Sequence, residues 1–434
     1  MSTQLTKTTL GDIADFVSGG TPSKSCSDYW TGNIPWVSAK DMKRFRLYDT
    51  QDHVSESALR SGARLIPAGT VLVLTRGMTL LNDVPVCIAK RAMTFNQDVK
   101  ALLPRSQVAP EYLPYVLLGK KEVLLAKVDL AGHGTGRLNS DDLKALEVEL
   151  PPLPEQRRIA KILGDLDDKI ELNRTMNETL EAMARALFKS WFVDFDPVRA
   201  KMEGRQPEGM DAETAALFPD KLVESELGMI PEGWEVKTLG QIADVIDCLH
   251  SKKPERTLDG GLYLQLNNIR NDGLIDISDG FYIGPDDYAN WTSRMEAVAG
   301  DCVITNVGRV GAVGQIPEGV RAALGRNMTG IRKKDDFPFS GFLVECLRSE
   351  QMLNEIQLKT DTGTILDALN VKSIPMLRFV QPPIVILERF ESVARPLRRE
   401  MEENLSNSHS LATLRDTLLP ELMSGEIAND EFGA

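Results

Sequence analysis

Two groups of residues in this chain are of the types that read nucleic acid. The first is Lys40-Asp-Met-Lys43-Arg44-Phe45-Arg46, followed by Arg76 at the end of a strand-like run, then Arg91 and Asn96-Gln97 after the next hairpin. The second is Lys252-Lys253, Asn267-Asn268, Arg270, Arg309 and Arg326-Asn327. Arginine matches the guanine edge and Asn or Gln the adenine edge by paired hydrogen bonds, whereas lysine suits phosphate better than base. Any one of these residues alone reads as a solvated loop side chain. What makes them candidates is that comparable loops occur twice.

Motifs for chemistry on a substrate are missing. Gly19-Gly-Thr-Pro-Ser-Lys24-Ser25 lacks the glycine before lysine that a phosphate loop requires. Leu150-Pro-Pro-Leu153 and Gln381-Pro-Pro-Ile384 lack the Asn or Asp before the prolines and the aromatic after them that grip a flipped adenine. Pro219-Asp220 followed by Glu235-Val-Lys237 matches the loose pattern of metal-dependent nucleases, and a stand-alone nuclease is one alternative function. However, Lys7-Thr-Thr-Leu-Gly11, the first copy of the segment that Lys237 opens, carries no such acid. His53, His133, His250 and His409 are too dispersed for a ligand set, and Cys248 with His250 reads as a packed loop.

The loops belong to an internal repeat. Thr9-Leu-Gly-Asp-Ile-Ala-Asp15 recurs as Thr238-Leu-Gly-Gln-Ile-Ala-Asp244, and Ala68-Gly-Thr-Val-Leu-Val-Leu74 as Ala299-Gly-Asp-Cys-Val-Ile-Thr305. Gly134-Thr135 recurs as Gly363-Thr364, and Pro151-Pro152 as Pro382-Pro383. Order is kept and the offset stays within 229 to 231 residues, which indicates duplication of one unit. Each unit reads as mixed α and β. Strands are expected at Thr70–Thr75, Val84–Ile88, Cys302–Thr305 and Gly311–Ile316, and helices at Pro110–Leu125 and Phe339–Leu358.

After each proline pair comes a long helical pattern. Glu155 to Trp191 contains no proline and one glycine. With Ile159 at position a, that position continues through Leu166, Asn173, Leu180 and Leu187, and d holds Ile162, Lys169, Met176, Met183 and Ser190. Phe390 starts the second series, with Leu397, Asn404, Leu411 and Leu418. Each helix has Asn at its third a position, and a buried Asn there fixes register by meeting a polar partner. The two helices are therefore expected to pair. Pro396 predicts a kink or a late start in the second.

The chain has 434 residues and a net charge of −13. By segment, residues 1–150 carry +2, 151–220 carry −4, 221–385 carry −6 and 386–434 carry −5, so much of the acid lies outside the loop-bearing domains. Five scattered cysteines, never in C-x-x-C spacing, argue against a disulfide framework and a zinc site, and for a reducing cytoplasm. No apolar run suits a membrane span, and the first residues lack the features of a signal peptide.

Several of these stretches resemble one family. Gly134-Thr135 through Leu138-Asn139, Leu143, Leu150-Pro-Pro-Leu-Pro-Glu-Gln156 and Ile159-Ala-x-Ile-Leu163 are similar to the junction between recognition domain and spacer helix in specificity subunits of Type I restriction–modification systems. Ser190-Trp-Phe-Val-Asp-Phe195, Glu226-Leu-Gly-Met-Ile-Pro-Glu-Gly-Trp-Glu-Val236 and Leu414-Arg-Asp-Thr-Leu-Leu-Pro-Glu-Leu-Met-Ser-Gly-Glu-Ile427 resemble the same family. So do Ile34-Pro-Trp-Val-Ser-Ala-Lys-Asp41 and Phe95-Asn-Gln97.

The resemblance implies an α+β chain: two pseudo-repeated α/β-type target-recognition domains joined by two long spacer helices that form an antiparallel coiled coil. The expected division is a first recognition domain at 1–154, a central spacer at 155–196 and a linker at 197–230. A second recognition domain follows at 231–385, a C-terminal spacer at 386–424 and a tail at 425–434. It further implies a non-catalytic subunit that binds double-stranded DNA, each domain reading half of an interrupted site. Expected partners are two modification subunits carrying S-adenosylmethionine and two restriction subunits carrying ATP and Mg, with no cofactor or metal in this chain and no membrane contact. The main alternative is a coiled-coil interaction scaffold that binds no DNA.

Overall fold

The computed structural model describes residues 5–130, 134–361 and 367–425. Gly363-Thr364 and the tail beyond Gly425 lie outside these. The chain divides into two compact units, one of the residues up to Lys169 with those from Leu411 on, the other of Ile170–Ser410.

In the first unit the strand Thr6–Thr9 pairs antiparallel with Glu147–Leu150, closing the domain just before the long helix Leu153–Phe192. The repeat begins where Thr9 caps a short helix, its hydroxyl donating to Asp12 Oδ2 at 2.6 Å. The main sheet runs Ala14–Ser18, Val99–Pro104, Val71–Leu74, Val86–Ala89, Arg46–Leu47. Val71, Leu72, Val73 and Leu74 are all buried, as befits a strand covered on both faces. The expected helix Pro110–Leu125 forms as two short pieces, Leu113–Gly119 and Lys121–Leu125.

The second unit repeats this plan. Glu235–Thr238 pairs with Arg378–Gln381 just before the helix Ile384–Ser424, and Thr238 caps a short helix, its amide donating to Gln241 Oε1 at 2.8 Å. Its sheet runs Ala243–Asp247, Met328–Lys333, Cys302–Thr305, Val313–Gln315. Phe339–Leu358 again divides, into Ser340–Arg348 and Glu350–Leu358.

Residues 197–230 are not a plain linker. They form the helices Asp196–Met202 and Ala212–Leu217 and the hairpin Leu222–Ser225 with Gly228–Pro231. Val198, Phe218 and Ile230 from this segment are buried in the second unit's core. Its polar composition conceals a few apolar anchors that follow no helical or strand period.

Within the second unit the two long helices run antiparallel, since Asn173 meets Asn404 and Ser408 while Asn177 meets Met401 and Phe188 meets Phe390. The seam differs from the sequence expectation. Ile159, Asn173, Phe390, Asn404 and Leu418 are buried and Leu166, Leu180, Leu187, Leu397 and Leu411 half-buried, but the second buried position falls four residues later, not three. Leu163, Asn177, Ala184 and Trp191 take it in one helix, and Ala394, Met401 and Leu422 in the other. Lys169 and Met183 are exposed, and Ile162 packs instead against the first unit's core. Asn177 and Ala184 hid the true stripe because one is polar and the other small. Pro396 does not delay the second helix: it is exposed, well inside a helix that begins at Ile384.

Candidate nucleic-acid interface

In the first unit the strands Ile34–Val37 and Thr94–Phe95 lie parallel, Val37 beside Phe95, so the segments leaving them emerge side by side. Asn96 N donates to Val37 O at 2.9 Å. Asp41 folds the loop after the first strand by accepting from Ser38 N at 2.9 Å and Ser38 Oγ at 2.8 Å. A third segment packs against them, with Gly20 N donating to Phe95 O at 2.9 Å and Thr21 Oγ1 to Gln97 Oε1 at 2.6 Å. Only glycine fits at position 19, where a Cβ would stand 2.2 Å from Phe95 O. The amides of Thr75 and Arg76 donate to Asp98 O, which brings Arg76 to the same end.

The second unit builds the same cluster with other side chains. Gly261–Leu264 and Ala322–Leu324 are parallel, Leu264 beside Leu324. Asn268 Oδ1 accepts from Gln265 N at 2.7 Å, as Asp41 does for Ser38, and its Nδ2 donates to Asp276 O at 2.7 Å. Gly325 is the close approach here, a Cβ standing 2.1 Å from Leu264 O. Lys253 Nζ donates to Gln265 Oε1 at 2.6 Å and lies 4.4 Å from the centre of the Phe281 ring. Asn327 holds a left-handed backbone, φ 65°, and its carbonyl accepts from Asn306 N.

The sequence candidates sort by what holds them. Lys40, Gln97, Arg76, Lys253, Asn267, Arg326 and Asn327 lie at the clustered ends, all exposed but the half-buried Asn327. Lys40 is exposed but 2.8 Å from Asp52, and Arg91 reaches Asn33 O and Asp49. Lys43, Arg44 and Lys252 are exposed on their loops. Four candidates hold structure instead. Asn96 is buried and accepts from Asp98 N at 3.1 Å, and Asn268 is the buried turn residue described above. Arg309 donates to Ile269 O and Asn271 Oδ1, while Arg270 pairs with Asp272 at 2.8 Å. Arg46 also leaves the set: its side chain is 10% exposed, bonded to Asp168 and, at 3.1 Å, to Gly164 O. A strand pairing with Val86–Ala89 turns it toward the long helix, and nothing in Lys43-Arg44-Phe45-Arg46 announces that turn.

The rival sites fare poorly. Glu235 is paired with Lys237 at 2.5 Å on one strand, so this carboxylate is neutralised locally. Asp247, Cys248 and His250 bring ligand atoms within 4.8 Å of one another. Yet burial pushes the Cys248 thiol up, His250 is hydrogen-bonded to Asp247 at 2.8 Å, and Arg294 stands 3.6 Å from that carboxylate. A resident arginine makes this a poor cation site.

Residues 4–182 match the family described as Type I restriction modification DNA specificity domain. The MjaIX specificity subunit of Methanocaldococcus jannaschii is 29% identical over 436 residues, covering 98% of this chain and 93% of that one. The HindI specificity subunit of Haemophilus influenzae is 27% identical, covering 74% and 78%. Along most of its length the chain is thus similar to Type I restriction–modification specificity subunits. The EcoR124I/EcoR124II specificity subunit of Escherichia coli is 33% identical over a shorter stretch, 37% of this chain and 40% of that one. The fold is also that of the crystal structure of the S subunit from M. genitalium, with TM-score 0.55 at 16% identity over 97% of this chain and 96% of that one.

The residues that sequence reasoning missed are informative. Thr21 and Gln265 sit inside the clusters but are ordinary loop residues by type. Arg137 faces Arg76 across paired strands, a proximity that no spacing reveals. Asn177, whose Oδ1 accepts from Asn404 Nδ2 at 3.0 Å, was legible only as the residue four after Asn173.

Proposed function

We propose that this chain is the DNA sequence-specificity subunit of a Type I restriction–modification complex, each unit reading one half of an interrupted double-stranded target through its loop cluster. One observation carries the reading: the two units repeat the same strand-end scaffold while changing what it displays, Lys40 against Asn267 and Gln97 against Arg326. A conserved frame with exchanged hydrogen-bonding groups is what two different half-sites require. The subunit is non-catalytic. Methyl transfer with S-adenosylmethionine belongs to two modification subunits, which the long helices and junctions receive, and ATP- and Mg-dependent translocation to two restriction subunits. Among the described residues no helix is long and apolar enough to cross a membrane.

The test is exchange of residues 1–150 for another recognition domain, followed by methylome sequencing of cells that also express the modification subunit. One half of the methylated target should change and the other persist. A target altered in both halves, or unaltered in both, would overturn the assignment.

A further inference from the structure

A three-stranded ribbon beside the first loop cluster carries two arginines where like charges meet. Arg76 on the strand Arg76–Gly77 is the direct partner of Arg137 on Gly136–Leu138, which pairs in turn with Val128–Leu130. Directly opposed residues on antiparallel strands share a face, with Cα atoms roughly 4.5–5.5 Å apart, and like charges so placed repel. Both arginines are exposed, and neither makes an ion pair or side-chain hydrogen bond among the described residues. Asp129 lies opposite Arg137 on the other side, but no ion pair forms between them. The reverse face is packed: Gly136 and Leu138 are buried, and a Cβ on Gly136 would stand 2.7 Å from Leu80 Cβ. The arginine face therefore points away from the core, next to the turn Asn96–Asp98 that holds the amide of Arg76.

The second unit shows that the ribbon does not need them. There Leu369 N donates to Asn306 O at 2.9 Å, as Leu138 N does to Thr75 O. Across that ribbon the row reads Asp361, Ala368, Val307 in place of Asp129, Arg137, Arg76. The same backbone forms with no cation on it, so the arginine pair is not a requirement of folding.

We propose that Arg76 and Arg137 together hold one backbone phosphate of the DNA bound by the first unit. This rests on the DNA-binding reading above. A phosphate turns the repulsion of two adjacent guanidiniums into two charge-assisted contacts, positions the first loop cluster on the duplex and carries no sequence information itself. The asymmetry between units follows: the second half-site is held without this anchor.

The experiment uses the full chain assembled with its modification subunits and a duplex bearing the target identified by methylome sequencing, titrated over a salt series. Arg76→Gln with Arg137→Gln should reduce the steepness of log affinity against log salt by about 0.9, the effect of one phosphate contact. The methylated sequence should stay as in the wild type, and the thermal melt should not fall, since the double substitution removes a like-charge pair. A slope unchanged by the double substitution overturns the proposal, as does a loss near twice that size, which means two separate phosphates. A changed base in the target means base reading, and a lowered melt means a structural role; either overturns it too. If the wild-type complex shows no sequence-selective binding at all, the DNA-binding reading itself falls, a result distinct from each of these.

Discussion

The two units grip the long helices by different physics. In the second, Phe188, Trp191 and Phe192 of one helix and Phe390 of the other interlock with Phe342 and Trp234, most ring centres 5.0–6.1 Å apart and several edge to face. Glu391 also accepts from the amides of Gly341 and Phe342 at 3.0 Å, satisfying the start of the helix Ser340–Arg348. In the first unit the contact is aliphatic and ionic. Ile159, Leu163, Leu418 and Leu422 join the core, and Asp167 accepts from Arg415 at 2.7 Å and from Tyr115 Oη at 2.7 Å. Burial, with the Asp167 charge, pushes the Tyr115 phenol up, so it stays a donor. An aromatic cluster tolerates small shifts in geometry, whereas a buried ion pair is satisfied in one arrangement only. Around these ends of the long helices the first unit thus relies on a polar contact and the second on packed volume.

The sharpest way to break the contrast is to remove volume from the second unit. Phe192→Ala should cost about 3–5 kcal/mol and appear as lost amide protection in residues 234–390, read by hydrogen exchange. If protection fell as much around Leu113–Gly119, the two grips would not be separate. Next in size, Arg415→Ala leaves Asp167 charged and buried without its cation, at a cost of about 3 kcal/mol. The double variant Asp167→Leu, Arg415→Met should recover most of that in a thermal melt, and a double variant as unstable as the single one would contradict an ionic origin.

A smaller effect separates the units by pH. Burial alone would raise the carboxyl of Asp276 in the second unit, but His409 at 3.3 Å and the hydroxyl and amide of Ser278 overcome it and hold the group well below the usual carboxylate range. Its folded value lies below the unfolded one. The stabilisation is therefore whole above about pH 4 and is lost as pH falls through the folded value. His409→Gln should move the onset of acid unfolding upward in pH, seen by circular dichroism, with the first unit's probes unmoved. An unchanged acid transition would show that His409 does not support Asp276.

The smallest effect concerns the middle of the helix pair. Asn404→Leu removes the donor to Asn177 and should change the melt by about 1 kcal/mol while loosening register. A melt and exchange pattern indistinguishable from the wild type would mean that these asparagines specify nothing.

Much of this was legible without coordinates. The offset between copies, the recurring Thr-Leu-Gly segments and the proline pairs before each helix record duplication directly, because local turns depend on residues a few positions apart. Both long helices and the asparagine near the middle of each were readable for the same reason. Tertiary structure decided the rest. It placed the seam through Leu163, Asn177 and Ala184, since burial depends on the facing helix and not on polarity. It committed Arg46 to the long helix and Asn96, Asn268, Arg270 and Arg309 to holding loops, although by type they looked the same as Arg76 and Arg326. Long-range strand pairing alone set Arg137 beside Arg76, 61 positions earlier in the chain. Sequence by itself determined the duplicated plan and the resemblance to specificity subunits, because these rest on short-range patterns. Which charged groups remain available to a ligand was settled by the fold, because a cation's availability depends on whether packing brings it an acid.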